Sequence, residues 1–289
     1  MHQTVLVTGA AGQLGSELQV LAASYPHYQF IFVNRSQLAI DNEAAVIQFF
    51  EQHQVNICIN CAAYTAVDKA EEDTTAAYAI NAQAAALLAS CCRQQQAMYI
   101  HISTDYVFNG LATEPYTVNH PVDPVNAYGA SKLKGEALVQ QQNPASIIIR
   151  TSWVYSSFGN NFVKTMLRLM KDRPLINVVN DQVGCPTYAA DLAAVILQIA
   201  NQPLVVQANP GIYHYSNSGV ISWYQFAVAI KEMLGSDCIV NPIPSIQYPT
   251  PAKRPGYSVL DTTKIQQVFN VPLTGWKDSL QKCLQLLQP

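Results

Sequence analysis

From residue 4 onward the chain alternates short apolar runs with longer segments of helical period. TVLVT (4–8), QFIFV (29–33), NICIN (56–60), MYIHIS (98–103) and SIIIR (146–150) are rich in β-branched residues and lack the strict alternation of a half-exposed strand. Runs of that kind are strands buried on both faces, which happens in a parallel sheet. Between them, apolar residues recur with helical spacing over 14–23, 43–53, 74–95 and 128–142. Strand and helix in alternation predict an α/β fold, a doubly wound parallel sheet of the Rossmann type.

After residue 150 this rhythm loosens. Prolines become frequent (Pro174, Pro186, Pro203, Pro210, Pro242, Pro244, Pro249, Pro251, Pro255), and helices over 160–171, 189–200, 222–234 and 275–287 are joined by irregular connections. The pattern predicts a sheet domain over residues 1–150 and, over 151–289, mainly a smaller lobe above the strand ends, with some return of the chain to the sheet. No internal repeat or low-complexity linker separates the two, so they are expected to share one body.

The first strand runs directly into GAAGQLG (9–15) and then a helix. A tight strand-to-helix turn needs glycine torsions, a pyrophosphate needs bare backbone to approach, and a helix start offers unpaired N–H groups. Gly9, Gly12, Gln13, Leu14 and Gly15 are therefore candidate dinucleotide-binding residues. At the end of the second strand VNRS (33–36) has no acidic residue for ribose hydroxyls. Arg35 stands where a 2′-phosphate could be met, which favours NADPH over NADH. In open α/β sheets the ligand lies beyond the strand ends. CAAYTAVD (61–68), STDYVF (103–108) and TSWVY (151–155) should then line the site. Ala62, Ala63 and Thr65 are expected on the cofactor, and Thr104, Asp105, Tyr106 and Trp153 at a rim that the core does not require.

Composition narrows the partners. Charged residues make up 12% of 289 and the formal net charge is −3, well below the roughly 25% charged content usual for soluble domains. No electrostatic case exists for nucleic acid or an anionic membrane as partner. No apolar run approaches the roughly 18 residues of a membrane span, and a strand pattern starts at once, so a cytoplasmic protein is expected. The seven cysteines are read as reduced, apolar-packed thiols. Cys58 and Cys61 stand three positions apart inside a strand, where they face opposite sides, and the six histidines do not cluster at ligand spacing. No metal site is predicted.

NAYGASKLKGE (126–136) carries the chemistry. Tyr128 and Lys132 lie four apart, on one helical face. Hydride delivery to a carbonyl creates an alkoxide that must be protonated, and free tyrosine, with pKa about 10, is a poor acid at neutral pH. An ammonium about 4 Å away would lower that pKa by roughly three units at an effective dielectric of about 20. The pair predicts a phenol made acidic by a cation.

Taken in order, GAAGQLG, NCAAYTAVDKAEED, ISTDYVFNG, AYGASK, RTSWVY, GNNFVKTML, DQVGCPTYAADLA, SNSGVISWYQFA and PTPAKRPGYSVLD resemble the dTDP-4-dehydrorhamnose reductase family of the extended short-chain dehydrogenase/reductase superfamily. The glycine turn and YxxxK are general to the superfamily; STDYVF, RTSWVY and PTYAADLA are far more specific. The resemblance implies NADPH-dependent reduction of a 4-keto-6-deoxy sugar nucleotide to dTDP-L-rhamnose, the last step toward a rhamnose donor for surface polysaccharides. It implies Tyr128 as proton donor, Lys132 on the nicotinamide ribose and Thr104 on the keto oxygen. Val67, Asp105, Tyr106 and Trp153 would border the sugar, and Asn161, Gln182, Thr187 and Arg254 the diphosphate and base. Relatives often carry an acidic residue where this chain has Ala39, so one adenosine contact is expected to be either missing or replaced through Asp41. Some relatives are metal-linked dimers; a homodimer is open here, and no ligands for such a metal are identified.

Three rival readings stand beside this one. A sugar-nucleotide dehydratase needs an Asp-Glu pair after the threonine, and this chain has Asp105 and Tyr106 there. Another dTDP-4-keto-6-deoxysugar ketoreductase differs only in how the sugar lies. A non-catalytic NADP-binding subunit resembling that of methionine adenosyltransferase would not need an intact Thr104, Tyr128 and Lys132.

Overall fold

The computed structural model describes residues 3–287. Its first half is β1 (Gln3–Thr8), α1 (Gln13–Ala22), β2 (Tyr28–Val33), α2 (Glu43–Gln52), β3 (Ile57–Asn60), α3 (Thr74–Tyr78), α4 (Ala85–Gln94), β4 (Met98–Thr104), α5 (Ala127–Gln142) and β5 (Ile147–Thr151). The second half holds β6 (Val154–Tyr155), α6 (Phe162–Asp172), β7 (Leu175–Val179), β8 (Val183–Gly184), β9 (Thr187–Tyr188), α7 (Ala189–Ala200), α8 (Pro203–Ala208) and β10 (Gly211–His214). It closes with β11 (Ile221–Ser222), α9 (Trp223–Leu234), β12 (Ile239–Ile243), α10 (Thr263–Phe269) and α11 (Trp276–Leu287).

Six strands form one parallel sheet in the order β10-β5-β4-β3-β1-β2. Alternate strand residues supply two cores. Val5, Val7, Ile57, Ile59, Ile147 and Ile149 pack with α1, α7 and α10, whereas Leu6, Cys58, Tyr99 and Ile148 pack with α2 and α4. This is the doubly wound α/β fold that the apolar runs predict. The return of the chain after residue 151 is substantial: β10 becomes the edge strand beside β5, and α7 covers the β1–β3 face. A third core, containing Val163, Ile176, Phe226, Ile230 and Leu280, lies in the segments outside that sheet.

Residues 74–94 form one continuous helical segment whose middle, Ala79–Ala84, is a π-turn. By length and apolar content this segment could cross a membrane, contrary to the expectation that nothing approaches that size. Half of its apolar window is buried, and Ala84, Leu88 and Ala89 pack under the sheet, which accounts for its hydrophobicity. Cys58 lies in the core on the α4 side and Cys61 against the opposite one, and all seven thiols are free.

α5 has no apolar stripe. Its inner face is Gly129, Ser131, Lys132, Gly135, Glu136 and Val139. Two charges buried there are costly unless satisfied. Glu136 is held by the Nε and Nη2 of Arg150 (2.9 and 2.6 Å) and by the Ser103 hydroxyl (2.5 Å). Lys132 donates to the Ile102 carbonyl oxygen at 2.6 Å.

Candidate active site

The carboxyl ends of the strands open into a cleft of about 770 Å³. At its cofactor end Gly9 takes φ +67°, and a Cβ there would lie 2.6 Å from the Ala62 nitrogen, so only glycine lets the β1 and β3 ends approach. α1 begins at Gln13, with Gly12 as an N-cap that makes no side-chain cap bond and with no acidic residue in the first turn. Unclaimed N–H groups and the positive end of the helix dipole suit an anion such as a pyrophosphate. Gly12, Gln13, Leu14 and Gly15 line the cleft here, as do Ala62, Ala63 and Thr65 opposite.

Arg35 and Asp41 both line the end of the cleft beyond β2 and are joined to each other at 3.1 Å, with Arg35 75% exposed. Arg35 can therefore reach a phosphate while Asp41 orients it. Asn34, Leu38 and Ile40 complete that end; their only sequence signal was proximity to Arg35. Ile80, on the π-turn, also enters the cleft, and nothing in its surroundings marked it.

At the floor stand Thr104, Tyr128 and Lys132. Asn126 caps α5 by accepting from the Gly129 N–H (2.8 Å) and donates to the Lys253 carbonyl (2.8 Å), which fixes the turn that presents Tyr128. Asn81 donates to the Ser131 hydroxyl (2.9 Å), and Ser131 donates to the Tyr128 carbonyl (2.7 Å).

The expected acidification of Tyr128 by Lys132 is not what this arrangement produces. Burial pushes the phenol up to about 12; the nearby Thr104 hydroxyl pulls it partly back and the Asp105 carboxylate adds to the rise. Lys132 instead commits its nitrogen to the Ile102 carbonyl and sits 3.5 Å from His101 Nε2, and burial lowers it to about 8 against the opposing pull of Glu136. Tyr128 is thus a protonated phenol across the neutral range.

Thr104 has one proton and gives it to Asp105 Oδ1 (2.9 Å) while accepting from the Tyr106 N–H (3.2 Å). Asp105 is buried, and its Oδ2 has no hydrogen-bond partner. Burial raises this carboxyl to about 7, with the Thr104 hydroxyl opposing. Ser258 is close but points its own bond at the Val183 carbonyl (3.4 Å). An orphaned buried carboxylate oxygen on a cleft wall is a place where a ligand hydroxyl would be welcome.

Val67, Tyr106 and Trp153 line the opposite rim, with Val154, Gly159 and Asn160 beside them. Four expected residues lie outside the lining. Thr187 is fully buried and accepts from the Thr151 hydroxyl at 3.1 Å, so it cannot meet a nucleotide. Asn161 is consumed as the N-cap of α6 and as a donor to Gln13 (3.0 Å). Arg254 is paired with Asp68 at 2.7 Å, 186 residues away in sequence. Gln182, just before β8, is not among the residues that line the cleft.

Known proteins resemble this chain along its length. The family described as RmlD substrate binding domain matches residues 3–288. A dTDP-4-dehydrorhamnose reductase of Aggregatibacter actinomycetemcomitans is 42% identical, covering 96% of this chain and 97% of its own. The crystal structure of a dTDP-4-dehydrorhamnose reductase from Clostridium acetobutylicum superposes with TM-score 0.94 at 43% identity, over 99% of this chain and all of that one. A Bacillus anthracis dTDP-4-dehydrorhamnose reductase in complex with NADP gives TM-score 0.93 at 38% identity, over 99% of both chains.

Proposed function

The chain belongs to the family of RmlD substrate binding domains, and on that premise we propose that it reduces the 4-keto group of dTDP-4-dehydro-L-rhamnose to dTDP-L-rhamnose with NADPH. The observation that carries the reading is the meeting of Thr104, Tyr128 and Lys132 at the floor of a cleft whose other end is a glycine turn on a helix start. We place the reaction in the cytoplasm, where the sequence leads us to expect the chain.

NADPH fits the bare turn and the unclaimed N–H groups of α1. Gly9, Gly12, Gln13, Leu14 and Gly15 would hold its diphosphate, Arg35 its 2′-phosphate, Asp41 the adenosine end, and Ala62, Ala63, Thr65 and Lys132 the nicotinamide half. When bound, it supplies the hydride. Tyr128 then delivers the proton to the developing alkoxide. Its raised pKa ensures that the proton is present, and the alkoxide, a stronger base than a phenolate, takes it. Lys132 supplies positive charge near the resulting phenolate, so its benefit falls after proton transfer and not before. Thr104 can donate to the keto oxygen only by turning its proton away from Asp105. A protonated Asp105 donates to Thr104 and makes that turn favourable. Val67, Asp105, Tyr106 and Trp153 border the sugar, and the lobe formed mainly by residues 151–289 supplies the far wall.

Incubating the purified chain with dTDP-4-dehydro-L-rhamnose and NADPH and identifying the product by NMR tests this. The expected product is dTDP-L-rhamnose; a different epimer would make the chain another ketoreductase, and no NADPH oxidation would end the enzymatic reading.

A further inference from the structure

Trp153 is held in a conformation that its backbone does not prefer. Its φ is +48°, the left-handed region, where a bulky L-residue is an outlier. Among the described residues, Gln96 and Asn270 share that sign, but both are polar residues just past a helix end. Trp153 alone of the three lines the cleft. Unsupported, such a conformation is disfavoured by a factor of about 5 to 30. Strain of this kind persists where the surroundings over-determine it.

The surroundings here are specific. Trp223 lies flat against Trp153, with ring centroids 3.5 Å apart and planes 9° from parallel. Trp223 is itself fixed as the first residue of α9, behind a capping box made by Ser222 and Gln225, and Phe162 packs 4.7 Å from its ring. The edge of the Trp153 indole fits over Gly184, where a Cβ would approach its Cε2 to 2.7 Å. β8, which carries Gly184, pairs with β11, which leads into Trp223. The two supports are one unit.

We propose that Trp223 is a positioning residue: stacked behind Trp153, it clamps that indole as a cleft wall on which the apolar face and methyl group of a 6-deoxy sugar rest. An indole face suits the C–H face of a sugar and offers nothing to an extra hydroxyl. This inference rests on the proposed reductase reading for the identity of the sugar, and on geometry alone for the clamp.

The test uses the full chain, with three measurements on each variant: circular dichroism in the indole exciton region, steady-state kinetics, and NADPH affinity. Trp223→Leu is expected to abolish the tryptophan-pair exciton band, raise KM for the 4-keto sugar nucleotide about tenfold, within the range set by the unsupported backbone preference, and leave kcat and NADPH affinity nearly unchanged. Trp223→Phe, which keeps a flat ring, should lose the band yet restore most of the KM. In a Trp153→Ala background, adding Trp223→Leu should raise KM no further. Additive effects in that cycle, an unchanged KM in Trp223→Leu, or a parallel loss of NADPH affinity would overturn the clamp. Should Trp223→Leu not fold, Trp223→Met carries the same expectation and the same refutation, while Gly184→Ala, which presses on the Trp153 indole edge, should weaken the band and raise KM, and an unchanged KM there would count against the clamp. Failure of the reductase reading shows separately, as absent turnover by the unmodified chain, and an unmodified chain without the exciton band sinks the clamp whatever the turnover.

Discussion

At the scale of single residues, the fold opposes the ionisation of Asp105, raising it from the ordinary carboxyl value of 3.8 to about 7. A group whose folded pKa lies above its unfolded one stabilises the fold least when charged. Stability is therefore fully expressed below the unfolded value and declines as pH rises from about 4 to 7, by at most about 1.4 kcal/mol per pH unit. Urea unfolding between pH 4 and 8 should show this slope, and Asp105→Asn should flatten it; the same slope in both proteins would mean that another group titrates. Arg35 offers a second residue-level test. Arg35→Ala is expected to weaken NADPH binding about five- to thirtyfold, the range of one exposed charge-assisted contact of about 1–2 kcal/mol, and to leave NADH unaffected. An unchanged preference would remove Arg35 from the cofactor.

At the scale of elements, α5 shows how Tyr128 and Lys132 come to sit beside the π-turn. Glycine at 135 lets the helix lie directly on the π-turn, since a Cβ there would collide with the Asn81 carbonyl oxygen. Gly135→Ala should cost roughly 1–3 kcal/mol by overpacking, seen as a lower urea midpoint, and should reduce turnover because Lys132 and Tyr128 ride on the same helix. Elements were readable because apolar period is local. The predicted helix over 43–53 is observed as Glu43–Gln52, and the strand over 29–33 as Tyr28–Val33. The π-turn at Ala79–Ala84 was not readable, because an alanine-rich segment favours α geometry and the departure goes with tertiary bonds from Asn81 to Tyr64 and Ser131, which no local pattern announces.

At the scale of the molecule, the cleft residues close to a strand end were readable for the same reason as the strands: topology brings the carboxyl ends of β1 to β5 to one cleft. Residues assigned through the C-terminal lobe fared differently. Whether Thr187 or Arg254 faces a ligand depends on partners such as Thr151 and Asp68, and no local pattern announces a contact across 186 residues. The direction of the Tyr128 shift failed likewise, since burial and the Ile102 carbonyl, not helical spacing, decide where the Lys132 charge acts. The return of β10 and α7 to the sheet also means that residues 1–150 alone would expose the β5 edge and the apolar faces of Val5, Val7, Ile57 and Ile59. Such a fragment should show no cooperative unfolding, and a sharp transition in it would refute the dependence.

The central claim is that a protonated Tyr128 completes a hydride transfer in this cleft. Turnover of Tyr128→Phe, measured beside its NADPH affinity, addresses it directly. A kcat lower by about 10²–10⁴ is expected, the contribution typical of a positioned general acid, with NADPH affinity nearly intact. A kcat close to that of the unmodified chain would contradict it.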